Sequence, residues 1–98
     1  MDNRLLALRS DSYAAAIAFH RVASEYFMAL RDRRPTDESA DVVIALEEAA
    51  TLYANTLDDL LDYLRAAEQT PATREELQRT VRIRDLLRHE MHLMRGPS

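Results

Sequence analysis

Apolar residues return at helical spacing in three long runs along this chain, and the runs are separated by segments that carry proline. In the first, from about residue 3 to 33, Leu5, Leu8, Ala15, Phe19, Val22, Tyr26 and Leu30 form one stripe, because steps of three, four and seven return side chains to the same helix face. The second, about 37–68, carries Val42, Leu46, Ala49, Tyr53, Leu57, Leu60, Leu64 and Ala67. Its alternating steps of four and three make a 3.5-residue repeat. In the third, about 72–95, Leu77, Thr80, Ile83, Leu87, Met91 and Met94 share a face.

The boundaries carry their own chemistry. Arg31, Arg33 and Arg34 precede Pro35, cations suited to the negative end of a helix dipole and then a residue that cannot continue the helix. Thr36 is the expected N-cap of the second helix, with Asp37 and Glu38 in its first turn. The third opens either with Thr70 before Pro71 at N1, or one turn later with a capping box from Thr73 to Glu76. Gly96, the only glycine, and Pro97 supply its stop.

These signals predict one all-α domain over residues 1–98, an antiparallel up-down-up three-helix bundle that completes a larger bundle by dimerisation. Folding about Pro35 sets Phe27 near Val43, Phe19 near Leu52 and Leu6 near Leu64, with Ala14 to Ala18 facing Ala54. Folding about Thr70 sets Leu60 near Thr80, Leu57 near Ile83, Tyr53 near Leu87 and Leu46 near Met94. Composition agrees: alanine and leucine dominate the apolar residues while valine and isoleucine are sparse, a balance that favours helix over sheet.

Charge and cysteine usage narrow the function classes. The net charge is −4, and the acidic residues concentrate in the second run between two net-basic ones. The flanking helices are therefore expected to answer part of that charge, leaving a solvated acidic face with Glu48, Asp58, Asp59 and Asp62. With no cysteine there is neither a disulfide framework nor a thiolate metal site. The first nine residues lack the apolar core of a secretory signal, and the most apolar stretch, Tyr13 to Leu30, is broken by His20, Arg21, Ser24 and Glu25. A cytoplasmic protein with no membrane association is the expectation.

Chemistry is poorly represented. Asp85, His89 and His92 fall at i, i+4 and i+7, a spacing by which one helix could offer a carboxylate and two imidazoles to a metal. They are the metal candidates of an alternative reading, a metal-binding or metal-responsive bundle. The di-iron bundle template fails because no Glu-x-x-His occurs and Glu25, Glu47 and Glu90 sit at the margins of the apolar faces. Arg74, Arg79, Arg82, Arg84 and Arg88 crowd the third helix, but Glu75, Glu76, Asp85 and Glu90 interleave with them, so nucleic acid is not an expected partner. With glycine absent before residue 96, no phosphate-cradling loop or nucleophile elbow can be written. No enzymatic activity and no cofactor are expected.

The sequence has apolar surface to spare. The first helix is apolar around much of its circumference, more than the stripe a bundle helix needs. Leu6, Tyr13, Ile17, His20, Phe27 and Met28 lie beside its core face, Leu86 and Leu93 lie on the far side of the third helix, and Ile44 sits on the back of the second. A non-enzymatic protein–protein interaction module follows: a homodimer, or a small adaptor, inhibitor or regulatory protein. Leu6, Tyr13, Ile17, His20, Met28, Leu86 and Leu93 are its expected interface with a second copy or another protein.

Overall fold

The computed structural model describes residues 3–32 and 36–94, with side chains placed for residues 3–32 and 40–92. It consists of three α-helices, α1 (Asn3–Arg31), α2 (Thr36–Ala66) and α3 (Pro71–Met94), and no strand among the described residues. No end differs from its expected position by more than two residues, within the usual fraying of helix termini. Arg33, Arg34, Pro35 and Gly96, and the side chains of Thr36, Asp37, Glu38, Leu93 and Met94, lie outside the described residues.

The passage from α2 to α3 shows how a chain without glycine there ends one helix and starts another. The Gln69 side-chain amide donates to the carbonyls of Leu64 (2.9 Å) and Ala67 (2.8 Å), satisfying acceptors that the last helical turn leaves open. Thr70 then caps α3: its Oγ1 accepts from the Thr73 amide at 3.1 Å, and its carbonyl accepts the first intrahelical bond, from the Arg74 amide at 2.9 Å. Of the two starts readable in the sequence, the structure uses Thr70 followed by Pro71 at N1. Glu76 is thereby released from a capping box, and its carboxylate accepts from the Arg9 guanidinium of α1 instead, Nε to Oε2 at 2.8 Å.

α2 is the centre of the molecule. It packs against both other helices, whereas no Cα of α1 comes within 8 Å of one of α3 among the described residues. The transverse extents of 27 and 17 Å record the resulting flattened section. The core cluster joins Ala15 and Phe19 of α1, Leu46, Ala50, Tyr53, Ala54 and Leu57 of α2, and Leu87 of α3. Leu60, Leu61 and Leu64 extend the buried face of α2. Because α2 is covered on two sides, its apolar sector is wider than the single heptad seam, and Ala50, Ala54 and Leu61 join the expected stripe. Alanine at Ala15, Ala50 and Ala54 leaves little side-chain bulk between the helices, so their axes can approach closely.

The details of register depart from the simple hairpin count. Phe19 meets Tyr53, ring centroids 5.9 Å apart, while Leu52, one residue and 100° away, is 57 % exposed. Within Ala14–Ala18 only Ala15 is buried, and Ala14 and Ala18 are exposed. Leu30, expected in the core stripe, is 56 % exposed, and Ile83 is 37 % exposed. Thr80 is the single buried polar residue among those described, and its hydroxyl donates to the Glu76 carbonyl at 2.8 Å.

Candidate interaction surface

On one flank of α1 the side chains turn toward α3, and no Cα of one helix comes within 8 Å of a Cα of the other among the described residues. The consequence is a furrow between α1 and α3. One part, a cleft of about 350 Å³, is lined by Phe19, Ala23, Tyr26, Phe27 and Leu30 of α1, Leu46 of α2 and Glu90 of α3. The next, about 290 Å³, is lined by Phe19, His20, Tyr53, Ile83, Leu86, Leu87 and Glu90. Phe19 and Glu90 belong to both, so the two parts are continuous.

Aromatic packing gives the α1 wall its shape. His20 stands edge-on to Phe19 at 5.6 Å, and Phe27 edge-on to Tyr26 at 5.7 Å, the tilted geometry that the ring quadrupoles favour. Phe19 and Tyr53 form the floor and are buried. Burial also pushes the Tyr53 phenol pKa up, because the phenolate would lose its hydration.

Every expected interface residue whose side chain is described lies on the surface. Leu6, Tyr13, Ile17, Met28 and Leu86 are exposed by 49, 71, 45, 43 and 59 % respectively, and His20 is exposed as well. The furrow brings His20 and Leu86 to one level of the molecule. Three further residues join them that the sequence reading left out of the interface: Phe27, Leu30 and Ile83. Phe27 stands beside the core face of α1 by its position on the wheel. Periodicity places Leu30 and Ile83 in the core, because it registers a face but not whether another helix reaches it.

The remaining surface is polar and differently organised. Asp58 of α2 receives the Arg84 guanidinium of α3, Nε to Oδ1 at 2.8 Å. Asp41, Glu48, Asp59 and Asp62 are exposed, with no ion-pair partner among the described residues. The flanking helices thus answer little of the acidity of α2. The Arg9–Glu76 pair holds the Glu76 carboxyl below the usual carboxylate range, chiefly through its hydrogen bonds and secondarily through charge attraction, with partial burial opposing. It also ties α1 to α3 directly.

The metal candidates Asp85, His89 and His92 are all exposed on α3. Among the described residues, no group of three or more histidine and carboxylate side chains could hold a metal ion. The spacing that could offer all three to one metal does not bring them together: at i and i+7 the outer two stand about 10 Å apart along the helix axis. Two of the five α3 arginines are engaged within the chain, Arg84 with Asp58 and Arg74 with the Gln69 carbonyl at 3.3 Å. No described helix is long and apolar enough to cross a membrane. No family model matches the chain, and neither a curated protein nor a solved structure matches it.

Proposed function

We propose that the chain is a non-enzymatic protein–protein interaction module, working as a homodimer in an adaptor, inhibitory or regulatory role in the cytoplasm. The reading includes an up-down-up course of the helices, which the Arg9–Glu76 and Arg84–Asp58 pairs and the short connections support. The observation that carries it is the furrow: α1 and α3 flank α2 with no Cα pair within 8 Å among the described residues, and Phe27, Leu30, Ile83 and Leu86, all exposed, line the gap.

Magnitudes leave room for a weak association. Completing the burial of a half-exposed Leu, Ile, Met or aromatic side chain gains about 1 kcal/mol. Six such residues (Leu6, Tyr13, Ile17, Phe27, Met28 and Leu86) offer roughly 6 kcal/mol per protomer, and twice that for a symmetric pair. That sum stands against an association cost of about 4–15 kcal/mol, so a weak dimer, no tighter than about micromolar, is the expected outcome. Arginines at the rim would set orientation more than strength.

Light scattering over a range of concentrations tests the reading. The parent chain is expected to report twice its 11.3 kDa mass at high concentration, and Tyr13→Glu and Leu86→Glu to report monomers of unchanged helicity. A parent that stays monomeric at every concentration, with both variants equally soluble and stable, sinks the proposal.

A further inference from the structure

The seam between α2 and α3 has two edges, and their chemistry differs. On the wheel of α3, Ile83, Leu86 and Glu90 fall to one flank of the buried Leu87, and Arg84, Arg88 and His92 fall to the other. The first flank lines the apolar furrow. The second lines a separate cleft of about 380 Å³, whose α2 wall is Thr51, Asn55 and Asp58. No residue lines both.

Charge is matched at only one level of this second cleft. Arg84 grips Asp58 with two hydrogen bonds, Nε to Oδ1 at 2.8 Å and Nη2 to Oδ2 at 3.4 Å, the forked contact of a guanidinium on a carboxylate. Arg88 and His92 follow about one and two turns along α3. The α2 side chains that share the cleft with them, about one and two turns from Asp58, are Asn55 and Thr51, an amide and a hydroxyl. Neither Arg88 nor His92 has an ion-pair partner among the described residues. Of the other carboxylates, Glu47 and Glu48 line the adjoining groove on the back of α2, and Asp85 lies outside the cleft.

We propose that this cleft binds a small phosphomonoester, whose phosphoryl group supplies to Arg88 and His92 the negative charge that Asp58 supplies to Arg84. The Arg88 guanidinium donates a forked pair of hydrogen bonds, and the His92 ring N–H, the Asn55 amide and the Thr51 hydroxyl donate to the remaining oxygens. A phosphomonoester offers three terminal oxygens and a carboxylate two, so four donor side chains are used more fully by the former. Ala54 and Met91 add an apolar wall, against which the esterified group packs. The cleft lies at the small end of the about 300–1,000 Å³ usual for ligand sites. A chain without a glycine loop thus holds phosphate through side chains alone. The site is independent of the homodimer reading, because no furrow residue lines it.

Titration of the ¹⁵N-labelled chain with phenyl phosphate at constant ionic strength, followed by two-dimensional NMR, tests the proposal. The signals of Thr51, Asn55, Arg88 and His92 are expected to shift saturably, with inorganic phosphate and benzoate each binding about threefold or more weakly. Asn55→Asp places a carboxylate beside Arg88 and should weaken phenyl phosphate by about tenfold with helicity unchanged. Arg88→Gln should weaken it as much. Arg82→Gln, which removes an exposed α3 arginine outside the cleft, should alter Kd by less than about twofold. Shifts that do not saturate, or that fall equally on Arg79 and Arg82, would mean charge attraction without a site and overturn the proposal. An Asn55→Asp variant that binds like the parent overturns it too, and benzoate binding as tightly as phenyl phosphate overturns the phosphoryl assignment. None of these outcomes bears on whether the chain dimerises.

Discussion

Leu57 and Leu30 are both leucines on apolar stripes of long helices, and their truncation separates what periodicity suggests from what packing decides. Leu57 is 2 % exposed and belongs to the cluster joining all three helices, whereas Leu30 is 56 % exposed. Leu→Ala removes three carbons, worth about 0.8 kcal/mol each on transfer, or roughly 2.4 kcal/mol. A residual cavity of about 50–80 Å³ at Leu57 adds about 1–2 kcal/mol at 24 cal/mol per Å³. The total of about 3.5–4.5 kcal/mol is a large part of the 5–15 kcal/mol typical of a domain this size. At Leu30 less than half the side chain is buried and water fills the vacated space, so the loss is about 1 kcal/mol.

Urea unfolding followed by far-ultraviolet circular dichroism measures both. Leu57→Ala should lower the midpoint with the slope unchanged, and in a thermal scan should lower Tm by roughly 17–23 °C, given an unfolding entropy of about 0.2 kcal/mol/K for about 100 residues. Leu30→Ala should move Tm by about 5 °C or less. Measurements at two or more protein concentrations are required, because a dimer makes the midpoint concentration-dependent. Equal losses at the two positions would refute the placement of Leu30 outside the core, and a loss at Leu57 below about 2 kcal/mol would refute its role as a packed contact between helices.

Two further outcomes follow from the helix junctions and the ion pair. Thr70→Ala should destabilise the chain by about 1 kcal/mol, as expected for removal of an N-cap oxygen, whereas Thr73→Ala should cost less because the α3 start does not use a Thr73 capping box; denaturation midpoints compare them. Glu76 has a lowered pKa in the folded chain, so its contribution is present above the ordinary carboxylate pKa and is lost as pH falls through the folded value. The partly exposed pair is worth about 0.5–1 kcal/mol. Arg9→Met should therefore remove that part of the acid dependence, and superimposable stability–pH curves for Arg9→Met and the parent would show that the pair contributes nothing.

The residue pattern by itself determined three helices and their limits, since the stripes, the flanking prolines and the Thr70 cap all act within a few residues of where they stand. The exposed character of Leu6, Tyr13, Ile17, His20, Met28 and Leu86 was legible for the same reason: their angle on the wheel differs from that of the core stripe. What the pattern could not decide was which neighbour reaches which face. Leu30 shares its wheel position with core residues, but α3 ends at Met94, and with Leu46 as its expected neighbour no turn of that helix extends over Leu30. Ile83 faces inward, yet α1 stands too far away to cover it. Glu76 could equally have closed a capping box, and only the arrival of Arg9 from 67 residues away selected the ion pair. The separation of α1 from α3, which creates the furrow, is a property of three surfaces packed at once, so no single stripe encodes it.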